Sequence, residues 1–405
     1  MTADSLKIRT YRSLEELETL RSSWHELLTH YPLATTFCTP EWLIPWWRSF
    51  GKNQQLLAAG FFGETSRLVA LAPLSLTRIQ VAPAISLRLL RLMGDGSHDS
   101  DNLDLPVMAG FESRFAASLL RYLKDQHAIW DFCELNTLPP QSPGADAFRQ
   151  VLAQEKWVVS ENDRPASAIP LPATWEEYLK QLSSKERGKI GLRTRKLEKK
   201  YKVRIRKCKE ESEIDPLLQA LFELLGKHWQ LRGLPGTLQS SARRQFYGEL
   251  ARMPLACNRL DLWVLELNEK IVAAQFGLRH GSTVFSLQEG FDPDYSADSV
   301  GYVLRSQVLK NLIADGIRRY DFLGGADESK LRWGAETGHY LDLRFARPLS
   351  IGAAYLRTRD YAAETKSWLR RNLPESVWQM LHKTNVGMKA IDRKTASEKP
   401  AKKQD

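Results

Sequence analysis

The sequence has few cysteines and no long apolar run, and both absences restrict the class of protein it can form. Its four cysteines, Cys38, Cys133, Cys208 and Cys257, are far apart and include no CxxC pair. This spacing argues against a zinc site and a disulfide scaffold, and it predicts a reducing, cytoplasmic location. No run of about 18 uninterrupted apolar residues occurs, so no transmembrane segment is predicted. The N-terminus also lacks the charged-then-apolar layout of a signal peptide.

The positive charge is concentrated in one segment. The chain has 405 residues and a net charge of +10. Residues 185–209 contain 13 Lys or Arg residues and two Glu residues, a local charge of +11. Such a segment attracts phosphates, and peripheral contact with nucleic acid or anionic lipid is predicted for it. The alternative is a solvated helix face.

The chain divides into two halves with a similar order of predicted elements. Each half has β-type runs, then a helix, then a strand that carries the dipeptide Asp-Phe, in WDFCEL and in YDFLGG. A strand directly after a helix is typical of a crossover to a parallel neighbour. We therefore predict an α/β fold with a duplicated unit in residues 1–165 and 166–350, although coincidence is the alternative. Residues 351–405 are predicted as peripheral helices and a basic, disordered tail, and LDLRFARPL as an edge strand.

A candidate phosphate-binding helix start lies in the second half. The segment GFDPDYSADSVGYVL predicts a strand, an irregular loop and a helix that begins near Ser299, Val300 and Gly301. The free backbone N–H groups of a helix N-terminus bind phosphate well, and a glycine there permits close approach. Alternatively, Ser299 or Asp298 is an ordinary N-cap.

These segments resemble the GNAT-fold acyltransferases of the CelD/BcsL type. That family is associated with cellulose and polysaccharide biosynthesis and is distantly similar to FemABX transferases. The resemblance is carried by AAQFGLRHGSTVFSLQEGFDPDYSADSVGYVL and GIRRYDFLGGADESKLRWG, and further by FCTPEWL, GDGSHDSDNLD, SSKERGKIGLRTRKLEKK and HWQLRG. It covers about residues 30–346, and the strand ending in DFLGG followed by K-x-R-W-G is its most specific part.

The resemblance implies tandem GNAT-like acyltransferase domains, each with a mixed central sheet flanked by helices, plus a helical C-terminal extension. It implies transfer of an acyl group from acetyl-CoA or another acyl-CoA, with no metal and no covalent enzyme intermediate. The expected acceptor is an amine or hydroxyl of a saccharide or cell-envelope precursor. The C-terminal domain is expected to hold the donor, and the N-terminal half to face the acceptor without binding CoA.

Three residues are candidates for proton transfer. Glu289 ends a predicted strand and is a candidate general base. Asp321 lies at the carboxyl end of a predicted parallel strand, where open sheets bind ligands. His228 is a candidate proton relay, four residues from Arg232 on one helical face. The alternatives are a surface glutamate, a carboxylate that ties down a loop, and a structural histidine.

Binding roles are predicted for further residues. The backbone N–H near Leu287 is expected to stabilise the tetrahedral intermediate. Donor contacts are predicted for Leu287, Ser299, Val300, Gly301 and Lys330. Acceptor contacts are predicted for Asp101, Asp104, Arg232 and Trp333. Core packing of Trp333 and a solvated acidic loop at residues 94–104 are the alternatives.

Two other functions stay open. A FemABX-like transferase that uses aminoacyl-tRNA would explain the basic segment, since RNA affinity depends on phosphate neutralisation. A non-catalytic GNAT-like scaffold would use the same segment to meet anionic lipid at a membrane surface. The preferred hypothesis is an acyltransferase that transfers groups other than aminoacyl groups.

Overall fold

The computed structural model describes residues 6–97, 99–231, 240–256 and 258–372, without the side chains at 228–231, 254 and 256. The side chain of His228 and the whole of Arg232, both predicted site residues, therefore lie outside the described residues. The tail after residue 372 lies outside them as well.

The described elements alternate between strands and helices. The strands are β1 (Lys7–Tyr11), β2 (Gln55–Leu56), β3 (Ala58–Phe62), β4 (Leu68–Ala72), β5 (Leu74–Ala82), β6 (Ile85–Leu92), β7 (Phe132–Leu138), β8 (Val158–Pro170), β9 (Val203–Lys207), β10 (Leu260–Leu267), β11 (Lys270–His280), β12 (Thr283–Phe291), β13 (Arg319–Gly324) and β14 (Glu336–Ala346). The helices are α1 (Leu14–Glu18), α2 (Arg21–Thr29), α3 (Pro40–Phe50), α4 (Glu112–Asp125), α5 (Pro143–Gln154), α6 (Trp175–Gln181), α7 (Ser184–Lys200), α8 (Glu211–Leu231), α9 (Ser241–Ala256), α10 (Val300–Ala314), α11 (Glu328–Leu331) and α12 (Ile351–Asn372).

Side-chain caps fix the starts of the two helices that precede β9. Thr174 and Glu177 form a reciprocal capping box at α6. The Ser183 hydroxyl accepts the backbone N–H of Glu186 at the start of α7. Each cap satisfies backbone donors that the helix itself leaves free. The predicted basic helix therefore begins next to Ser183 and ends at Lys200, before β9.

One sheet of eleven strands spans both halves, in the order β2-β5-β6-β7-β14-β8-β13-β12-β11-β10-β9. A smaller sheet contains β1, β3 and β4. The large sheet repeats one unit. In the first half β5 and β6 are antiparallel, and α4 leads to β7, which is parallel to β6. In the second half β11 and β12 are antiparallel, and α10 leads to β13, which is parallel to β12. The predicted α/β fold and the helix crossovers to parallel strands are confirmed.

The two halves exchange strands at the centre of the sheet. β8, at the end of the first half, pairs with β13 of the second, and β14, at the end of the second half, pairs with β7 of the first. β8 and β14 also pair with each other, from Ala168 opposite Glu336 to Val158 opposite Ala346. The prediction that LDLRFARPL forms an edge strand is therefore wrong. β14 lies between β7 and β8, and its apolar residues Leu341, Leu343 and Phe345 are buried in the core.

The halves also share a continuous core. The ring centres of Phe37 and Phe285 lie 5.3 Å apart, and those of Trp42 and Phe246 lie 5.1 Å apart. A buried ion pair accompanies this packing: Arg243 on α9 donates to both carboxylate oxygens of Asp99, each at 3.1 Å, and to the Ser97 carbonyl. The acidic loop of the first half is thus fastened to α9 of the second.

Among the helices that the structure describes, none combines the length and the apolar character that crossing a membrane requires.

Replacing Arg243 tests how strongly this ion pair joins the halves. The side chains of Arg243 and Asp99 are 10% and 1% exposed. Arg243→Met leaves a buried carboxylate without its cation, so we expect a loss of about 3–5 kcal/mol in the free energy of unfolding. Arg252→Met, also on α9, breaks a pair with Asp215 whose side chains are 41% and 72% exposed. That control should lose about 0–1 kcal/mol. Urea unfolding curves that shift equally for both variants would contradict this assignment.

Candidate functional site

The second half contains a gap between two parallel strands. β12 and β13 pair over only three positions, with Thr283, Val284 and Phe285 opposite Arg319, Tyr320 and Asp321. β13 then continues along β8, where Gly324 faces Ala166. The register between β12 and β11 shifts so that Leu287 has no facing residue. Such a bulge bends a strand and increases its twist. The two strands therefore separate beyond Phe285 and Asp321.

Helix α10 begins beside this gap with its first turn uncapped by a side chain. Its N-cap residue Ser299 has left-handed backbone angles, φ 57° and ψ 39°, and its hydroxyl makes no capping hydrogen bond. The carboxylate of Asp298 instead accepts from the Lys200 ammonium and the Tyr201 hydroxyl, each at 2.9 Å. Neither side chain acts as an ordinary N-cap. The N–H groups of the first turn are left for another partner.

A cleft of about 360 Å³ lies between the end of β12 and the first turns of α10, and we call it the β12–α10 cleft. It brings together five of the predicted residues, which are Glu289, Ser299, Val300, Gly301 and Trp333. The remaining walls come from β11, α7, α11 and the segment after α11, through Gln275, Arg193, Ser329 and Arg332 among others. Leu287, Lys330 and Asp321 do not line it.

The polar floor of the cleft is a network around Glu289. Arg305 on α10 donates two hydrogen bonds to the Glu289 carboxylate, one of them at 3.1 Å from Nε. The Tyr320 hydroxyl donates to Glu289 at 3.2 Å and lies 3.0 Å from the Ser286 hydroxyl. Burial and the Glu289 charge raise the pKa of Tyr320 well above its ordinary value. Burial alone would lower the pKa of Arg305, but the charge of Glu289 raises it overall.

Aromatic and cationic side chains form the opposite wall. The Trp333 ring is buried and lies 4.3 Å from the Tyr302 ring. The Arg193 guanidinium of α7 stacks over the Tyr302 ring, 4.2 Å from the centre of the ring. Arg332 also lines the cleft and is exposed. Most of the Trp333 side chain is therefore packed in the core. The guanidinium groups of Arg193 and Arg332 border the cleft.

Three predicted residues meet at the end of β13 instead of in the cleft. The Lys330 ammonium donates to the carbonyls of Gly324, at 2.5 Å, and Phe322, at 3.2 Å. The Asp101 carboxylate accepts the Gly324 N–H at 2.9 Å, and the Asp321 carboxylate accepts the Leu323 N–H at 2.8 Å. Burial raises the pKa of Asp101 to about 6 and lowers the pKa of Lys330. Lys330 and Asp101 hold the Gly-Gly turn in place.

Asp321 faces a second space, which we call the junction cavity. Its volume is about 470 Å³, and residues of both halves line it, including Thr35, Asn102, Gln141, His280, Thr283, Arg319, Asp321 and His339. The Asp321 side chain is 8% exposed, and Arg319 donates to it at 3.3 Å. Burial raises the pKa of Asp321, and burial with the charge of Arg259 lowers that of His280. Tyr320 and Asp321 are consecutive in a strand, so they face opposite sides of the sheet.

Asp104 has a different environment from the one predicted. It is buried, and its carboxylate accepts hydrogen bonds from the hydroxyls of Tyr31 and Ser142 and from the Leu105 N–H. Burial raises its pKa to about 6. These internal partners occupy both oxygens, so the structure gives Asp104 a role in holding the acidic loop.

Sequence reasoning missed Tyr320, Arg305 and the junction cavity. The motif YDF contained a signal for Tyr320, since alternation in a strand places Tyr and Asp on opposite faces. Arg305 follows Gly301 by four residues, so helical spacing places both on one face of α10 and could have predicted Arg305 at the same site. The junction cavity depends on strand exchange between the halves, and no local pattern reports that.

Comparisons with known proteins agree with this geometry. Residues 184–331 match the family model described as an acetyltransferase (GNAT) domain. No match is found among curated proteins. A crystal structure of FemX is similar with a TM-score of 0.56 and 10% identity, over 80% of this chain and 95% of that one. A conserved protein of unknown function from Bacteroides thetaiotaomicron VPI-5482 has a TM-score of 0.52 and 13% identity, over 84% of this chain and 100% of that one.

The structural likenesses concern the fold alone at these identities. The family match covers α7, most of the second half and the residues that line the β12–α10 cleft except Arg332 and Trp333. The chain is therefore an α/β protein with one unit repeated in its two halves, and its second half contains a region, residues 184–331, that matches a GNAT-type acetyltransferase domain.

Proposed function

We propose that this protein is an acyl-CoA-dependent N- or O-acyltransferase, with acetyl-CoA as the expected donor. The observation that carries the proposal is the separation of β12 from β13 next to the uncapped first turn of α10. The cleft beside them joins a site for the donor's phosphates, at the start of α10, to the end of β12, which has no pairing with β13 beyond Phe285. The cellular acceptor would be a saccharide or cell-envelope precursor, and the expected location is the cytoplasm.

The donor fits the cleft through charge and backbone groups. Phosphate groups suit the N–H groups of residues 300–302, because a helix N-terminus carries partial positive charge. Arg193 and Arg332 add two guanidinium groups at the same cleft. At Gly301 an added Cβ would lie 3.3 Å from the Phe291 ring, so a larger residue would narrow the approach to the first turn.

Leu287 does not itself line the cleft, but it lies two residues before Glu289, which does, and its bulge supplies a candidate oxyanion site. A residue without a facing partner leaves backbone polar groups free for a ligand. An N–H group directed at the thioester oxygen would stabilise the tetrahedral intermediate as negative charge develops. The Arg305–Glu289–Tyr320 network positions this part of β12 against α10 and β13. Arg305, whose side chain is 19% exposed, pairs with both Glu289 oxygens, whereas the cation that reaches Asp321 is the half-exposed Arg319 at 3.3 Å. We therefore assign Glu289 a positioning role.

The acceptor is proposed to bind in the junction cavity, with Asp321 as general base. Asp321 lines this cavity, and its neighbour Tyr320, which faces the other side of the sheet, bonds to Glu289 in the wall of the β12–α10 cleft. A buried carboxylate with a raised pKa is a better proton acceptor than an exposed one. Transfer then forms a C–N or C–O bond, breaks the C–S bond, and leaves CoA as the free thiol.

The division of labour between the halves follows from this proposal. The second half, residues 166–350, would hold the donor, and the first half, residues 1–165, would complete the acceptor site. In the first half, the position equivalent to the gap after β6 is bridged by a hydrogen bond of 2.8 Å from Asn136 to Asp95. We therefore place the donor in the second half.

Gly301→Val tests the donor site. In the wild type, acetyl-CoA at 100 times its dissociation constant should stabilise the fold by about 2.7 kcal/mol and raise the melting temperature. The valine should abolish this increase because its side chain occupies the approach to the first turn of α10. Gly248→Val, on α9 beside the flexible end of Arg252, is the matched control and should keep it. A Gly301→Val protein with the wild-type increase would place the donor elsewhere.

Asp321→Asn tests the general base. We expect turnover of acetyl-CoA with amino-sugar acceptors such as glucosamine to fall by about 10²–10⁴, with the melting-temperature increase by acetyl-CoA unchanged. In the wild type the rate should rise with pH through the raised pKa of Asp321, since only the carboxylate accepts a proton. The asparagine variant should lack this rise. Asp125→Asn, at an exposed position on α4, should behave as wild type. Equal rates for both variants would remove Asp321 from the mechanism.

A further inference from the structure

The basic segment separates into a neutralised part and an unpaired part. On β9, Arg206 pairs with Glu213 and Glu266, and Lys207 pairs with Asp261. On α7, Lys189 pairs with Glu186 and Lys200 with Asp298. Besides Arg187, which helical spacing places on another side of the helix, four exposed cations of α7 make no ion pair with any carboxylate of the described chain, and they are Lys185, Arg195, Lys196 and Lys199. The unpaired charge is therefore concentrated on α7.

These four cations surround an exposed apolar residue. Leu192 is 46% exposed, although it lies in the middle of a charged helix. At Gly188 no atom lies within 4 Å of the position that a Cβ would take, so the surface there is open. Helical spacing places all of these residues on one face, opposite Ile190 and Leu197, which are buried. We call this face the α7 stripe, and it comprises Lys185, Gly188, Leu192, Arg195, Lys196 and Lys199.

The α7 stripe borders the donor site. Arg193 lies on the flank of the same helix, lines the β12–α10 cleft and stacks on Tyr302. Tyr302 in turn bonds to Glu186 of α7 at 3.2 Å. A macromolecule bound to the stripe would therefore sit at the mouth of the cleft, where Arg193 and Arg332 can meet a phosphate.

The composition of the stripe favours a protein partner. Single-stranded nucleic acid is bound by cations together with stacking aromatic rings, and α7 contains no aromatic residue. A helix that lies on a membrane needs a broad apolar face, and here one leucine is exposed. An apolar centre with a charged rim is typical of a protein interface, and a cationic rim selects an acidic partner.

We propose that an acidic carrier protein docks on the α7 stripe and presents an acyl group to the β12–α10 cleft on a phosphopantetheine arm. This inference rests on the proposed acyltransferase function and names the form of its donor. The arm's single phosphate meets Arg193 and Arg332. The acyl carbon leaves the carrier's sulfur and bonds to the acceptor nitrogen or oxygen. The acceptor's proton is balanced by the thiol that forms on the carrier.

The test compares two donors on three proteins. The donors are acetyl-CoA and an acidic acyl carrier protein charged with an acetyl group. The proteins are the wild type, Lys185→Glu/Lys199→Glu, and the control Lys7→Glu/Lys52→Glu, which has the same net charge change at exposed positions of the first half. The stripe variant should lower kcat/KM with the acetyl-carrier at least about tenfold and leave kcat/KM with acetyl-CoA within about twofold. The control should change neither.

Two further measurements separate a carrier protein from other polyanions. Raising salt from about 0.05 M to about 0.3 M should reduce the rate with the acetyl-carrier more than the rate with acetyl-CoA, since the charges of the α7 stripe are exposed and screened. Leu192→Ser should also weaken the acetyl-carrier reaction, whereas binding to phosphates alone would not depend on this leucine.

Each contrary result has a defined meaning. Turnover with acetyl-CoA, no preference for the acetyl-carrier and no effect of the stripe variant would overturn this inference and leave the proposed function intact. No turnover with either donor would overturn both. Binding of tRNA or of vesicles containing anionic lipid that the stripe variant loses, without binding of the carrier, would assign the α7 stripe to that polyanion and overturn the carrier protein.

Discussion

The short pairing between β12 and β13 is the constraint on which the rest of this structure depends. Three residues of each strand face each other, and then β13 follows β8 while the bulge at Leu287 turns β12 away. A continuous ladder would leave no space for a ligand and no free backbone donors. Separation costs the ladder hydrogen bonds beyond Asp321. Side chains offset part of that loss: Arg305, Glu289 and Tyr320 connect α10, β12 and β13 across the gap.

Strand exchange explains how β13 can leave its neighbour. β13 pairs with β8 on its other side, and β14 pairs with both β8 and β7. The sheet is therefore continuous across the halves. The same exchange brings Asn102 and Thr35 of the first half next to Arg319 and Asp321 of the second. Neither half alone forms the junction cavity. An acceptor bound there would therefore be recognised by both halves.

The sequence predicted the local parts of this arrangement better than the long-range ones. Helix α7, strand β9 and the start of α10 at Val300 agree with the patterns in the chain, because caps and periodicity are local signals. The predicted donor residues Ser299, Val300 and Gly301 line one cleft with Glu289 and Trp333 for the same reason. β14 was misplaced at an edge, and Asp104 was assigned to an acceptor although it is buried with three partners. Pairing between strands about 180 residues apart leaves no local trace.

The central claim is that the β12–α10 cleft binds the acyl donor. Amide hydrogen exchange with and without saturating acetyl-CoA tests it most directly, because bound phosphate and thioester oxygen would protect free N–H groups. The account predicts slower exchange at Leu287 and at residues 300–302, with little change at the start of α4 in the first half. Protection at α4, or unchanged exchange at Leu287 and residues 300–302 with acetyl-CoA bound, would contradict it.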